Sequence, residues 1–170
     1  MSMNEKLHQT MNSQIIAEFE SALVYMQLSY ELDRLSFPGM SSWMSNQSDE
    51  ERFHASKFAD HMLARDVRVQ LSDVPVTPTT ISTPLEAFEI ALKHERKISE
   101  MIRELARIAD SVEDYDSRSL INWFLDEQIE EEDTVSRIVD QIRLVGDDGS
   151  GLLRIDAQLS TAHPRNDGNR

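Results

Sequence analysis

Apolar residues return at alternating steps of three and four along four stretches of this 170-residue chain. That spacing turns one face of an α-helix toward packed neighbours. In the first stretch the register runs Met11, Ile15, Glu18, Ala22, Tyr25, Ser29, Leu32, and in the second Met40, Met44, Gln47, Glu51, His54, Phe58, His61. The third reads Leu85, Phe88, Leu92, Glu95, Ser99, Ile102, Ala106, Ala109, and the fourth Leu120, Phe124, Glu127, Glu131, Thr134, Ile138. A neighbouring register on the fourth, Ile121, Leu125, Gln128, Glu132, Val135, Val139, Ile142, widens its inward face and turns Gln128 in as well.

Glycine and proline, the strongest breakers, number five each and cluster at Phe37-Pro38-Gly39, Pro75 to Pro84, Gly146 to Gly151 and from Pro164 onward. The stretches between them predict helices α1 over about 5–36, α2 over 40–67, α3 over 84–112, α4 over 116–145 and a short α5 over 151–161. Short links make α1 and α2, and likewise α3 and α4, antiparallel neighbours. The link from Val67 to Thr83, with Pro75 and Pro78, is long enough to cross a bundle. Thr83 is placed to cap α3 and Pro84 to be its first residue. The expected fold is all-α, a four-helix bundle with a long α2–α3 crossover and a short fifth helix, forming one domain over 1–162 with a flexible tail over 163–170.

Every apolar stripe is interrupted by ionisable groups, and the interruptions fall near the helix midpoints: Glu18, Glu51 with His54, Glu95, and Glu127 with Glu131. Midpoints of packed helices of similar length share one level whichever way each helix runs. The four helices therefore deliver at least five carboxylates and one imidazole to one slab of the core. Buried ionised carboxylates cost several kcal/mol each and repel one another, so they must be protonated or neutralised by cations. Glu51 and His54 are three residues apart on one helical face, where one metal can take both.

The composition narrows the metal. With no cysteine, ligands are restricted to oxygen and imidazole, which favours iron, manganese or zinc over copper(I) or clusters. A net charge of −14 disfavours nucleic acid and anionic membranes as partners and suits cations. No apolar run reaches membrane-spanning length and the N-terminus has no basic-then-apolar leader, so a cytoplasmic protein is expected. The histidines His8, His61, His94 and His163 read as surface or structural groups, and Met40 and Met44 as core filler.

These residues resemble the bacterial non-haem ferritins of the ferritin-like di-iron family. The resemblance spans about 5–160 and is carried by Glu18 with Tyr25, Asp-Glu-Glu-Arg-Phe-His at 49–54, Lys-His-Glu at 93–95, Asn-Trp-Phe-Leu-Asp-Glu-Gln-Ile-Glu-Glu-Glu at 122–132, and Gly-Leu-Leu-Arg-Ile-Asp at 151–156. It implies that Glu18, Glu51 and His54 hold a first iron, that Glu51 bridges, and that Glu95 with Glu131 hold a second. Gln128 would stand beside the oxygen-binding side, and Tyr25 would be an oxidisable neighbour, while Trp123 reads as core. A third iron position would use Glu50, Glu127, Glu130 and Glu131. Bacterioferritins instead repeat Glu-x-x-His on the fourth helix and follow the second-helix glutamate with a haem-ligating methionine. Here Glu127-Gln128-Ile129-Glu130 has no histidine and Arg52 follows Glu51, so no haem is expected.

The implied activity is ferroxidation, with Fe(II) oxidised by O2 or H2O2 and stored as ferric mineral inside a homo-oligomeric shell of 24 subunits. A discrete di-iron oxidase or peroxide scavenger without a shell is the alternative. A bundle whose carboxylates are merely protonated or paired with arginine is the non-enzymatic one.

Overall fold

The computed structural model describes residues 3–162, so the tail from His163 onward lies outside the described residues. Five helices follow one another: α1 Glu5–Arg34, α2 Pro38–Ala64, α3 Pro84–Ser111, α4 Arg118–Val145 and α5 Gly149–Ser160, with a single 3₁₀ turn, Tyr115–Ser117, leading into α4. The main pairings are α1 with α2, α3 with α4 and α1 with α3, and α5 packs on α2. This is the expected four-helix bundle with a long α2–α3 crossover and a short C-terminal helix.

The first three helices stop one to three residues earlier than their periodicity predicts. Each is followed by a non-glycine residue in the left-handed region, Ser36 (φ 67°), Asp66 (φ 56°) and Glu113 (φ 56°). The next amide then folds back on the last turn: Phe37 N–H to the Leu32 carbonyl (3.0 Å), Val67 to Met62 (2.9 Å) and Asp114 to Ala109 (2.9 Å). This six-to-one closure ends a helix as a glycine usually does, but without glycine it leaves no mark in the sequence. Starts were more legible. Thr83 Oγ1 accepts the Glu86 amide as the cap of α3, and Pro84 is its first residue. Asp148 accepts the amides of Ser150 and Gly151, which brings the start of α5 forward to Gly149.

The crossover runs as a strap along α1. At one end Asn12 exchanges two hydrogen bonds with the Gln70 backbone (2.6 and 2.8 Å), and His8 meets the Arg68 carbonyl at 2.8 Å. At the other end Glu31 accepts the Ile81 amide (3.0 Å) while Arg34 donates to the Ile81 carbonyl (2.8 Å). From Asn12 to Glu31 α1 advances about 28 Å at 1.5 Å per residue, so the strap returns the chain to the end at which α3 must start.

The apolar interior is divided in two. One core gathers Tyr25, Leu28, Leu32, Met40, Met44, Phe88, Val135 and Val139, and the other Leu7, Met11, Ile15, Phe58, Met62, Ile102, Leu105 and Phe124. The residues between them on each helix are Glu18, Glu51, Glu95 and Glu131, all buried. The polar band is therefore a real layer, and both cores close it off from the bundle ends.

Helix α2 begins at Pro38, and Phe37 before it supplies no side-chain cap. The cap arrives from α5, whose buried Asp156 accepts the Met40 amide at 2.7 Å, a carboxylate at the positive end of a helix. Helix α5 can come that close because residue 39 is glycine: a Cβ there would lie 1.9 Å from the Asp156 carbonyl oxygen. Gly39→Ala is expected to displace α5 and cost about 1–3 kcal/mol. By contrast, Gly149→Ala, with nothing within 4 Å of the added carbon, should change stability by less than about 0.5 kcal/mol. Thermal denaturation of the two variants checks the difference.

Candidate metal centre

Each helix of the bundle supplies the band from its inward register. On α1, Glu18 is fully buried; Gln14, one turn earlier, donates to its Oε1 at 2.7 Å, and the Glu51 carboxyl is hydrogen-bonded to it as well. On α2, Glu51 and His54 stand one turn apart with Nδ1 3.1 Å from Glu51 Oε2. On α3, Glu95 is held from two sides. The Tyr25 hydroxyl donates to Oε1 at 2.5 Å, and the Gln128 amide donates to Oε2 at 3.1 Å while also meeting Ser99 Oγ at 3.2 Å.

Ligand-capable atoms converge in two groups, each with all atoms within 4.8 Å of one another: Glu18, Glu51 and His54; and Glu50, His54, Glu127 and Glu131. His54 belongs to both and is walled by aromatic rings, with Phe124 and Trp123 edge-on at 5.5 and 5.6 Å. Lys57 sits 4.2 Å above the Trp123 ring on its outer side, a cation–π contact that fixes this wall.

Burial dominates the electrostatics. It pushes the Glu51 carboxyl well above the ordinary carboxylate range, and the charges of Glu95 and Glu18 push the same way. Burial likewise raises Glu18 against the opposing pull of His54 and Gln14, and raises Glu95 against hydrogen bonds from Tyr25 and Gln128. Glu131 is pushed up to about 10 by burial and by Glu95, Glu50 and Glu51. Tyr25 is raised too, by burial and the neighbouring carboxylates, which keeps its phenol protonated. Without a cation the layer holds protons in place of charges.

The chain matches the ferritin-like domain of the ferritin family over residues 8–145. It belongs to the ferritin family. A bacterial non-heme ferritin of Bacteroides fragilis is 38% identical over 157 residues, 92% of this chain and 98% of the relative. One from Staphylococcus saprophyticus is 32% identical, with 93% and 95% covered. Among solved structures, an open pore ferritin from the hyperthermophilic archaeon Archaeoglobus fulgidus superposes with a TM-score of 0.93 at 36% identity, covering 95% of this chain and all of that one.

As a ferritin subunit the chain has a donor set that fits its expected cargo. All donors are carboxylate oxygen or imidazole, the set suited to iron, and Glu18 and Glu51 are buried carboxyls hydrogen-bonded to each other, whose shared proton a cation would displace. Of the residues expected at the site, Glu18, Glu50, Glu51, His54, Glu127 and Glu131 fall within the two groups, and Glu95, Gln128 and Tyr25 form one hydrogen-bonded chain beside them. Glu130 is exposed and lies outside both groups. Three buried polar residues escaped the site reading of the sequence: Gln14, Ser99, and Gln47, whose amide touches Glu50 at 3.1 Å. For Gln47 and Ser99 the inward register was the available signal, but neutral side chains at such positions are usually read as packing; Gln14 lies off the stated register and its only signal was the spacing of four from Glu18. The remaining described histidines have local duties, His94 meeting Ser21 Oγ at 2.7 Å and His61 meeting Ser117 Oγ at 2.9 Å.

Proposed function

We propose that this ferritin oxidises Fe(II) within the four-helix layer and stores the product as ferric mineral in a hollow shell of 24 copies. The single observation carrying the reading is the buried convergence of Glu18, Glu51 and His54, with Glu95 and Glu131 buried in the same layer. Glu18, Glu51 and His54 hold one iron, Glu51 bridges, and Glu95 with Glu131 hold the other. Two Fe(II) ions give up two electrons; O2 takes these with two protons and leaves as H2O2, or H2O2 takes them with two protons and leaves as two waters. Protons held by the metal-free carboxylates are displaced as the cations enter, because each divalent ion reverses the local preference for the neutral acid. Tyr25 and Gln128 orient Glu95 through the hydrogen bonds they donate. No helix among the described residues is long and apolar enough to cross a membrane, which supports work in an aqueous compartment, here read as the cytoplasm.

Size-exclusion chromatography of the purified protein followed by aerobic addition of ferrous salt tests both halves. A shell-sized species with rapid growth of ferric absorbance is expected. A species of one or two subunits that oxidises iron selects the discrete oxidase, and oxidation at the buffer rate removes the ferroxidase reading altogether.

A further inference from the structure

The two apolar cores seal the layer toward the bundle ends, but on one side it comes close to the surface. A cleft of about 310 Å³ opens between α3 and α4. Its deepest lining residues are the buried Ser99 and Gln128, and its walls are Leu125 and Ile129 of α4 with Arg103 and Glu132. Ile129 is 70% exposed, an aliphatic side chain held in solvent at the rim. Directly behind the floor stands Glu95. The Gln128 Nε2 donates to Glu95 Oε2 at 3.1 Å and also meets Ser99 Oγ at 3.2 Å and the Glu95 carbonyl at 3.3 Å. Two N–H groups are thus divided among three acceptors, all at the long end of the hydrogen-bond range. A swing of that one side chain would open the cleft onto Glu95.

The charges of the cleft decide what it admits. Arg103 pairs with Glu100 at 3.2 Å, and Glu132 faces Arg96 at 3.9 Å. Both are compensated from outside the cleft, which therefore offers a hydrated cation no free charge to exchange for its water. A floor of one hydroxyl and one amide between aliphatic walls suits a small neutral molecule that both donates and accepts hydrogen bonds. We propose that the α3–α4 cleft is the port through which H2O2 reaches the layer, with Gln128 as its gate and Leu125 and Ile129 as its rim. The inference rests on the ferroxidase reading and leaves its balance unchanged: two Fe(II) give two electrons, and H2O2 takes them with two protons to become two waters. What it adds is a route for the oxidant and the residues that line it.

The chain has no cysteine, so Ile129→Cys places a single thiol at the rim in the full-length assembled protein. Linking a benzyl group to it through a disulfide fills the cleft after folding is complete, and reduction followed by desalting empties it again. Anaerobic oxidation of Fe(II) is then followed at increasing H2O2, with calorimetric titration of redox-inert Zn(II) on the same preparations. The benzyl form is expected to lose at least about fivefold in kcat/KM for H2O2, with the rate at saturating peroxide and the Zn(II) affinity unchanged. Reduction should restore it, and a methyl group on the same thiol, too small to fill the cleft, should leave it unaltered. An unchanged kcat/KM in the benzyl form overturns the proposal. So does a thiol that the reagent cannot reach in the assembled protein, since a port must open to solvent, and so does a loss of Zn(II) affinity, which would mark a distorted centre. If Ile129→Cys does not assemble, Arg103→Cys on the α3 wall is read in the same way. Wild-type protein that fails to oxidise Fe(II) with H2O2 sinks the ferroxidase reading and the port with it, whereas active wild type with an unaffected benzyl form sinks the port alone.

Discussion

Glu51→Gln is expected to slow iron oxidation by about 100-fold or more while making the metal-free protein more stable. Removing a residue that merely supports a metal ligand costs 10- to 100-fold in affinity or activity, and Glu51 is proposed to touch both ions. The stability gain has a separate origin. The Glu51 carboxyl is buried among Glu18, Glu50 and Glu95, and its proton affinity is raised by desolvation first and by those charges second. An amide of the same shape removes the ionisable group and keeps the packing, so the metal-free protein should gain about 1–3 kcal/mol. Stopped-flow iron oxidation and thermal denaturation of the same preparation read the two signs. Loss of activity with loss of stability would instead mark Glu51 as structural, and unchanged oxidation would remove it from the centre. His54→Ala, which deletes the group common to both clusters, should also abolish fast oxidation but destabilise the fold, because it opens a cavity against Phe124 and Trp123.

The second large effect is on pH. The folded-state pKa of Glu131, about 10, lies far above the value near 4.5 of the unfolded chain, and those of Glu18, Glu51 and Glu95 are displaced in the same direction. A carboxyl that binds its proton more tightly when folded contributes fully below the unfolded pKa and loses that contribution as pH rises toward the folded one. Metal-free protein should therefore lose stability between pH 7 and 9, by up to about 1.4 kcal/mol per pH unit for each group still protonated. His61 and His94, pulled below 6.5 by burial, are mostly neutral in both states over that window and add only a small opposing slope near pH 7. Saturating Zn(II) should flatten the dependence, since ligated carboxylates are ionised in the folded state. It should also release protons on binding, seen as a calorimetric enthalpy that changes between buffers of different ionisation heat. A metal-free melting temperature that rises from pH 7 to 9 would contradict the protonated layer.

Both predictions concern residues that the sequence could nominate. Three-four periodicity placed Glu18, Glu51, His54, Glu95 and Glu131 on inward faces, and the midpoint rule put them at one level; the division of the core into two clusters confirms that level. Periodicity is a local property, and burial of a helix face is decided mostly by that helix's own pattern. Helix stops were less legible, because Ser36, Asp66 and Glu113 adopt a conformation that their side chains do not advertise.

Fold class, the antiparallel pairs, the crossover and the chemistry of the layer were thus determined by the sequence alone, through spacing and link length. Tertiary structure decided the rest, because it depends on helix phase and on contacts between distant segments. Among Glu130, Glu131 and Glu132, only Glu131 is buried, and a rotation of α4 by one residue would exchange them. Asp156 caps a helix that begins 118 residues earlier at Pro38, through the space left by Gly39. The layer of carboxylates was written in the sequence, while the chain of hydrogen bonds from Tyr25 through Glu95 to Gln128 became visible only when the helices were packed and each acceptor could be matched to a donor.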